Sequence, residues 1–250
     1  MILDYHRAIS IDEAVLLLQR PEVRTLPLGG GTHLSSIDEP DFEVVDLQDL
    51  NLDTVSIGDD SLTLGATLSL HKLSQLAEIP DGLREAIIHH QNYNLRQVST
   101  IAGELIAADG RSPLCTMFLA VDALLKCYPP QLVVSLEKVL PERYSWLSGK
   151  VISEVVIPKS VRLTYDAVSR TPADNPIVCV AICQWPSGRS RIVVGGFGKA
   201  PIVVYDQPTL PEIDQIDFAI PDANDDWASS EYREAITKVL IRRVLQSLRA

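Results

Sequence analysis

Apolar positions along this chain fall into short runs of strand length and longer stretches at helical spacing. Ile11 to Leu18 follows Ser10, a good N-cap, carries Asp12 and Glu13 in its first turn and is closed by Pro21, so a helix is expected there. Arg24 to Leu28 and Glu43 to Leu47 read as short strands. Leu62 to Ala66 reads as another after the Asp59-Asp60 turn. Ser69 then opens a helix over Leu70 to Leu76, and Leu83 to His90 is a further helical stretch. Ser112-Pro113 opens an apolar helix expected over Leu114 to Leu125, with Pro in its first turn. Pro129-Pro130 breaks the chain. Leu132 to Leu136 and Val151 to Ile157 read as strands, and Pro158-Lys159-Ser160 as a boundary.

Beyond that boundary the texture changes. Val161 to Ser169, Ile177 to Trp185 and Arg191 to Gly195 are strand-like, with a Ser187-Gly188 hairpin signal, and predict a three-stranded antiparallel meander. A polar, Asp-rich stretch over residues 222–232 leads into a last helix, Ser229 to Leu248, with Arg242 and Arg243 in its second half.

Composition narrows the function classes. The 250 residues carry a formal net charge of −11, which argues against nucleic acid and anionic membrane as partners. No run reaches the roughly 18 apolar residues of a spanning helix, so no membrane span is expected. Met1 to Arg7 lacks a signal peptide's basic start and apolar core, which leaves a cytoplasmic location as the expectation. Cys115, Cys127, Cys179 and Cys183 form no Cys-x-x-Cys pair and read as buried thiols. An iron–sulfur cluster held by this chain alone is therefore not expected. His89 and His90 are adjacent on a helix and point about 100° apart, so they would not share one metal ion.

The candidate chemistry lies in two small-residue segments. Leu26 to Leu34 reads Leu-Pro-Leu-Gly-Gly-Gly-Thr-His-Leu. Consecutive glycines can turn several N–H groups toward one point, and such a nest suits phosphate. Taken alone, a flexible surface turn is the competing reading. A second segment runs from Leu95 through Thr100, Ala102 and Gly103 to Gly110 before the Ser112-Pro113 helix start. It reads either as a second anion cradle or as a loop packed closely on its neighbours. No side chain reads as a nucleophile or general base. Asp109, the nearest candidate, reads as a structural cap.

Together these segments resemble the FAD-binding subunit of the molybdenum hydroxylases, the group that includes the medium subunit of aerobic carbon monoxide dehydrogenase and the flavin part of xanthine dehydrogenase. The family's first loop, roughly Ala-Gly-Gly-Thr-Asp-Leu, is matched by Gly29-Gly30-Gly31-Thr32-His33-Leu34. Its second, roughly Ile-Arg-Asn-x-x-Thr-Ile-Gly-Gly-Asn, is matched by Leu95 to Glu104. Leu64-Gly65-Ala66-Thr67 and the segment from Trp227 to Arg243 resemble further signatures in order. The resemblance implies an α+β protein: a two-subdomain α/β FAD-binding domain (PCMH-type) over residues 1–158, divided near 57, and a C-terminal domain over 159–250 with a small antiparallel sheet and helices.

The resemblance further implies FAD as cofactor, with Leu28, Gly29, Gly30, Gly31, Thr32, His33, Leu34, Thr100, Ile101, Ala102, Gly103, Glu104, Asp109, Ile152 and Tyr165 around it. Backbone N–H groups of both loops would meet the pyrophosphate. No catalytic side chain and no metal ligand is expected. The implied partners are a small subunit with two [2Fe–2S] clusters and a large molybdenum subunit, with electrons passing through FAD to NAD or a quinone. Ala102, Glu104, Pro113 and Ala167 depart from the family's Gly, Asn, Asp and Lys. They motivate the alternative of a flavin-free scaffold or assembly subunit; a free-standing flavin sensor is a third reading. A carboxylate at Glu104 beside phosphates would repel them, so Glu104→Asn is expected to tighten FAD binding several-fold.

Overall fold

The structure is a computed structural model and describes residues 1–34, 41–171, 174–212, 216, 220 and 223–249. Among these residues the chain forms two compact units that interleave along the sequence. The first comprises Met1–Leu76, Tyr93–Ala107 and Ala123–Ile157; the second comprises Ala77–Asn92, Ala108–Asp122 and the described residues from Pro158 onward. The units are therefore not divided at one chain position. Residues 77–92 and 108–122, which precede the expected boundary at 158, pack with the C-terminal strands.

The first unit opens with strand β1 (Ile2–Arg7) and helix α1 (Ile11–Leu18), whose N-cap Ser10 accepts from the Glu13 N–H. Strand β2 (Thr25–Leu28) feeds the glycine loop, and β3 (Phe42–Asp46) lies between β1 and β2, parallel to both. The inner strand β3 and helix α1 bury Val45, Ala14, Val15 and Leu18 in a common cluster with Leu47, Leu52 and Val151. Strand β1 lay outside the sequence expectation. It is a sheet edge whose Ile2, Leu3 and Tyr5 are about half exposed, so it lacks the apolar–polar alternation that marks a strand with one buried face.

A five-stranded sheet follows in the order β4 (Val55–Ile57), β5 (Ser61–Gly65), β8 (Val151–Pro158), β6 (Leu124–Tyr128) and β7 (Leu132–Ser135). The expected helix over Leu114 to Leu125 is shorter: α6 spans Pro113–Ala120, and Leu124 and Leu125 belong to β6. The break is at Asp122, which takes φ +56°. Its carboxylate receives Arg189 at 2.9 Å and Arg191 at 2.8 Å within the second unit. An uninterrupted apolar run does not distinguish helix from buried strand; the ion pairs at Asp122 do.

Helices α2 (Leu70–Ser74), α4 (Tyr93–Val98) and α5 (Ile101–Ala107) complete the first unit's side of the glycine loop, with two short turns, α7 (Leu136–Val139) and α8 (Arg143–Trp146), before β8. The second small-residue segment is thus helical from Ile101. Thr100 starts it: its Oγ1 accepts from the Gly103 N–H at 3.2 Å and its carbonyl from Glu104.

The second unit holds helices α3 (Asp81–His90) and α6, and a four-stranded antiparallel sheet in the order β12 (Ile202–Gln207), β11 (Ser190–Gly195), β10 (Val178–Gln184), β9 (Arg162–Val168). The expected meander gains β12. The last helix, α9 (Ser230–Arg249), packs Leu240, Ile241, Val244, Leu245 and Leu248 with Val178, Val180, Ile182, Ile192 and Val194 of the sheet. All four cysteines are buried and free of disulfides.

Candidate functional site: a glycine-cradled cleft in the first unit

The first unit carries a cleft of about 600 Å3. Its rim at the end of β2 is the glycine loop, Gly29 to Leu34. Thr100, Ala102, Gly103, Ile106 and Ala107 of α5 form the adjoining wall, and Ile152 of β8 lies on its floor. The loop reaches α4 and α5 closely because it is glycine. A Cβ on Gly30 would stand 1.7 Å from the carbonyl oxygen of Val98, and one on Gly29 would stand 2.8 Å from Thr100 Oγ1. Gly31 adopts φ +73°, which L side chains rarely take. The two small-residue segments that the sequence set apart by some seventy positions are thus in contact beside one cleft.

Their hydrogen-bond roles differ. The N–H groups of Ile101 and Ala102 donate to the carbonyls of Leu68 and Ala66 at 3.0 and 3.1 Å. Those of Gly103 and Glu104 are taken by Thr100. Of the Thr100 to Gly103 backbone donors expected to meet a pyrophosphate, those of Ile101, Ala102 and Gly103 are thus spent within the fold. The N–H groups of Gly29, Gly30 and Gly31 have no acceptor among the described residues. They line the cleft with these donors unspent, an arrangement of the kind that suits an anion.

Charge supports the same reading. Arg20, Arg24, Arg143 and Lys150 line the cleft, and no carboxylate does among its described lining residues. This is a local inversion of sign in a chain of net charge −11. Arg143 is 5% exposed and is fixed by donating to the carbonyls of Ile106 and Leu140, each at 2.9 Å. Lys150 donates to the Trp146 carbonyl at 2.6 Å. Hydroxyls of Thr32, Thr67, Thr100 and Ser148 add polar contacts, and Leu18, Leu47, Ile106, Val151 and Ile152 supply apolar wall. Apolar walls with a few convergent polar groups are what a dinucleotide needs.

Of the residues expected around a cofactor, Gly29, Gly30, Gly31, Thr32, His33, Leu34, Thr100, Ala102, Gly103 and Ile152 line this cleft. Leu28, Ile101 and Glu104 do not. Leu28 is the last residue of β2, and its carbonyl accepts from Leu47. Ile101 is buried in the core. On α5 the cleft-lining residues are 102, 103, 106 and 107, a repeat of four that leaves position 104 on another face. Asp109 and Tyr165 belong to the second unit. Asp109 accepts from the Arg111 N–H at 2.8 Å in the turn before α6, whose N-cap is Ser112. Burial, and then the neighbouring Cys179, push the Tyr165 hydroxyl far above its ordinary pKa, so it stays protonated. Sequence reasoning missed Arg20, Arg24, Arg143 and Lys150, which share no motif.

The position of Glu104 changes its expected effect. Glu104 lies off the cleft wall, and solvent screening leaves only a small repulsion there, so Glu104→Asn should alter FAD affinity less than about twofold rather than tighten it several-fold. Fluorescence-quenching titration of both forms measures this, and a tenfold gain would put the carboxylate back beside the phosphates.

Fold and cleft together are those of an α+β protein with an open, cation-lined cleft beside a glycine loop. The family described as the FAD binding domain in molybdopterin dehydrogenase matches residues 1–160. This chain belongs to that family, and FAD is its cofactor. The uncharacterized protein YgfM of Escherichia coli is 27% identical, over 96% of this chain and 94% of its own length. Among solved structures, a chain of the Cu,Mo-CO dehydrogenase in its cyanide-inactivated form superposes with a TM-score of 0.82 at 20% identity, covering 98% of this chain and 97% of that one. A chain of quinoline 2-oxidoreductase from Pseudomonas putida 86 gives a TM-score of 0.80 at 18% identity, with 99% and 96% covered. A chain of reconstituted CO dehydrogenase from Oligotropha carboxidovorans gives 0.81 at 21%, with 97% and 96% covered. At these identities the three structures bear on the fold, and they match the PCMH-type architecture expected of the sequence.

Proposed function

We propose that this oxidoreductase component is the electron-transfer subunit of a molybdenum hydroxylase, taking electrons from [2Fe–2S] clusters of a small partner and passing them to an external acceptor, with a large molybdenum subunit oxidising the substrate. The observation that carries the cofactor's place is the cleft itself: among the described residues, three consecutive glycine N–H groups without an acceptor, four lining cations and no lining carboxylate. When bound, FAD supplies the redox chemistry, since it exchanges electrons singly or in pairs. The chain's own residues do the holding. Gly29 to Gly31 donate to the pyrophosphate, Thr32 and Thr100 offer hydroxyls beside it, and Ile106 and Ile152 exclude water along the wall.

The cluster-bearing partner is proposed from the family to which the chain belongs; the four cysteines of this chain are buried, and burial raises the thiols of Cys127, Cys179 and Cys183 above their ordinary range. No helix among the described residues is long and apolar enough to cross a membrane, and a cytoplasmic location is part of this proposal.

The test is direct. Chain purified from its native source should show a flavin absorption spectrum with one FAD per chain, and gentle pull-down should recover an iron–sulfur protein and a large molybdenum protein. Stripped chain given FAD at a hundredfold excess over Kd should gain about 2.7 kcal/mol of stability in thermal unfolding. A colourless chain that gains nothing from FAD yet still recovers the two partners would make it a scaffold subunit. A flavin-loaded chain recovered alone would favour a free-standing sensor.

A further inference from the structure

The end of the cleft away from the glycine loop is built around one arginine that no motif announces. Arg20 lies two residues beyond the end of α1 and lines the cleft. Its Nε donates to the Leu17 carbonyl at 3.3 Å. Its Nη2 is gripped by the carboxylate of Glu43 on β3 and lies 3.1 Å from His6 Nε2 and 3.5 Å from Thr25 Oγ1. Glu43 is itself held by His6 at 2.7 Å and is only 12% exposed. Asp4, His6 and Glu43 bring three potential metal-ligand atoms within 4.8 Å, but the guanidinium already rests on two of these residues and supplies the positive charge there. The remaining nitrogen, Nη1, donates to nothing among the described residues.

Such an arginine costs three partners to orient and keeps one edge for a ligand. Its place says which part of the ligand. Thr25, against which Nη2 rests, is the first residue of β2, and Gly29 follows the last. Four strand residues span roughly 13 Å at about 3.3 Å each. With the pyrophosphate on the Gly29 to Gly31 donors, Arg20 therefore stands one nucleoside further along the same cleft. The surroundings there are polar, with Thr25 against the guanidinium and Arg24 also lining the cleft, and suit a base and ribose rich in acceptors rather than an apolar dimethylbenzene edge.

We propose that Arg20, aligned by Glu43, is a specificity-determining residue for the adenosine end of FAD, donating from Nη1 to an acceptor on the adenine or its ribose. The inference rests on the flavin reading above and adds the end of the molecule that is read. It predicts that the cleft binds ADP on its own through this contact.

The test compares wild type, Arg20→Met and Glu43→Gln in stripped chain, with FAD followed by fluorescence quenching, ADP by displacement of FAD and FMN by direct titration. Arg20→Met keeps the apolar stem and leaves Glu43 paired with His6. It should weaken FAD and ADP alike by about tenfold, the scale of one hydrogen bond from a charged donor, and leave FMN unmoved. Glu43→Gln loosens the arginine while keeping an acceptor of the same shape, and should weaken FAD and ADP by a smaller factor in the same pattern. A uniform loss across all three ligands would mark a structural role and overturn the inference. Weakening of FAD or FMN with ADP unchanged would put the flavin at this end and overturn it too, as would FAD and ADP affinities unchanged in both variants. Wild type that binds neither FAD nor ADP would reject the flavin reading itself, a result distinguishable from all of these.

Discussion

Gly30→Ala is expected to abolish measurable FAD binding and to cost the first unit about 3 kcal/mol, at the upper end of ordinary overpacking. The added Cβ would stand 1.7 Å from the Val98 carbonyl oxygen and 2.6 Å from its carbon. Those are backbone atoms at the end of α4, and they cannot rotate away as a side-chain tip could. The loop or the helix end must move by more than an ångström. That movement displaces the Gly29 to Gly31 donors from the cleft and separates Thr32 from Ser99, whose hydroxyl reaches it at 3.4 Å. Gly31→Ala is the useful contrast. Its Cβ meets only Leu28 Cδ1 at 3.3 Å, but its φ of +73° is strained for any L side chain, so about 1 kcal/mol of destabilisation with weakened but measurable binding is expected. Urea unfolding and FAD titration on the same samples separate the two effects. If Gly30→Ala binds FAD like wild type, the loop is not the cradle.

Arg233→Met is expected to destabilise the second unit by about 3 kcal/mol, the scale of leaving two buried carbonyl acceptors without their donor. The Arg233 side chain is fully buried on α9. It donates to the carbonyls of Ile177 and Ala223 and bidentately to Asp225, with both oxygens at 2.8 Å. One guanidinium thus ties the last helix to the start of β10 and to the segment before the helix. Methionine fills much of the space and satisfies none of these acceptors.

The pH dependence of that loss has a definite sign. Burial works to raise the pKa of Asp225, but hydrogen bonds from Arg233 and from the N–H groups of Trp227 and Ala228 outweigh it and hold the carboxyl below its ordinary value. A depressed carboxylate contributes stability that is full above its unfolded pKa, about 4, and is lost as pH falls through the folded value. The gap between wild type and Arg233→Met should therefore be widest near neutral pH and narrow below about pH 4. Chemical unfolding of both forms across that range measures it; a gap that widens in acid would mean that Asp225 is not the partner that matters.

Local chemistry fixed several elements before any contact was known. Ser10 and Ser69 each cap the helix expected behind them, and Gly188, at φ +92°, makes the turn between β10 and β11. The Gly29-Gly30-Gly31 run marked an anion cradle because only glycine combines positive φ with close approach, and both demands are present there. Family resemblance over two loops and the last helix named the cofactor. The caps and the turn hold because each rests on neighbours in sequence.

What tertiary structure alone decided is everything that depends on distant partners. The backbone donors of Ile101 and Ala102 are spent on Leu68 and Ala66, which no inspection of the second loop reveals. Glu104, a departure from the family motif, lies off the cleft because α5 turns it there. Leu124 and Leu125 are strand rather than helix because Asp122 is pinned by Arg189 and Arg191, some seventy residues onward. The cleft's charge comes from Arg20, Arg24, Arg143 and Lys150, in segments that meet only when β2, α8 and β8 are assembled. Spacing along the chain records local hydrogen bonds and periodicity; which cations converge on one cavity, and which N–H groups remain to meet a ligand, is set by packing between segments that the sequence keeps apart.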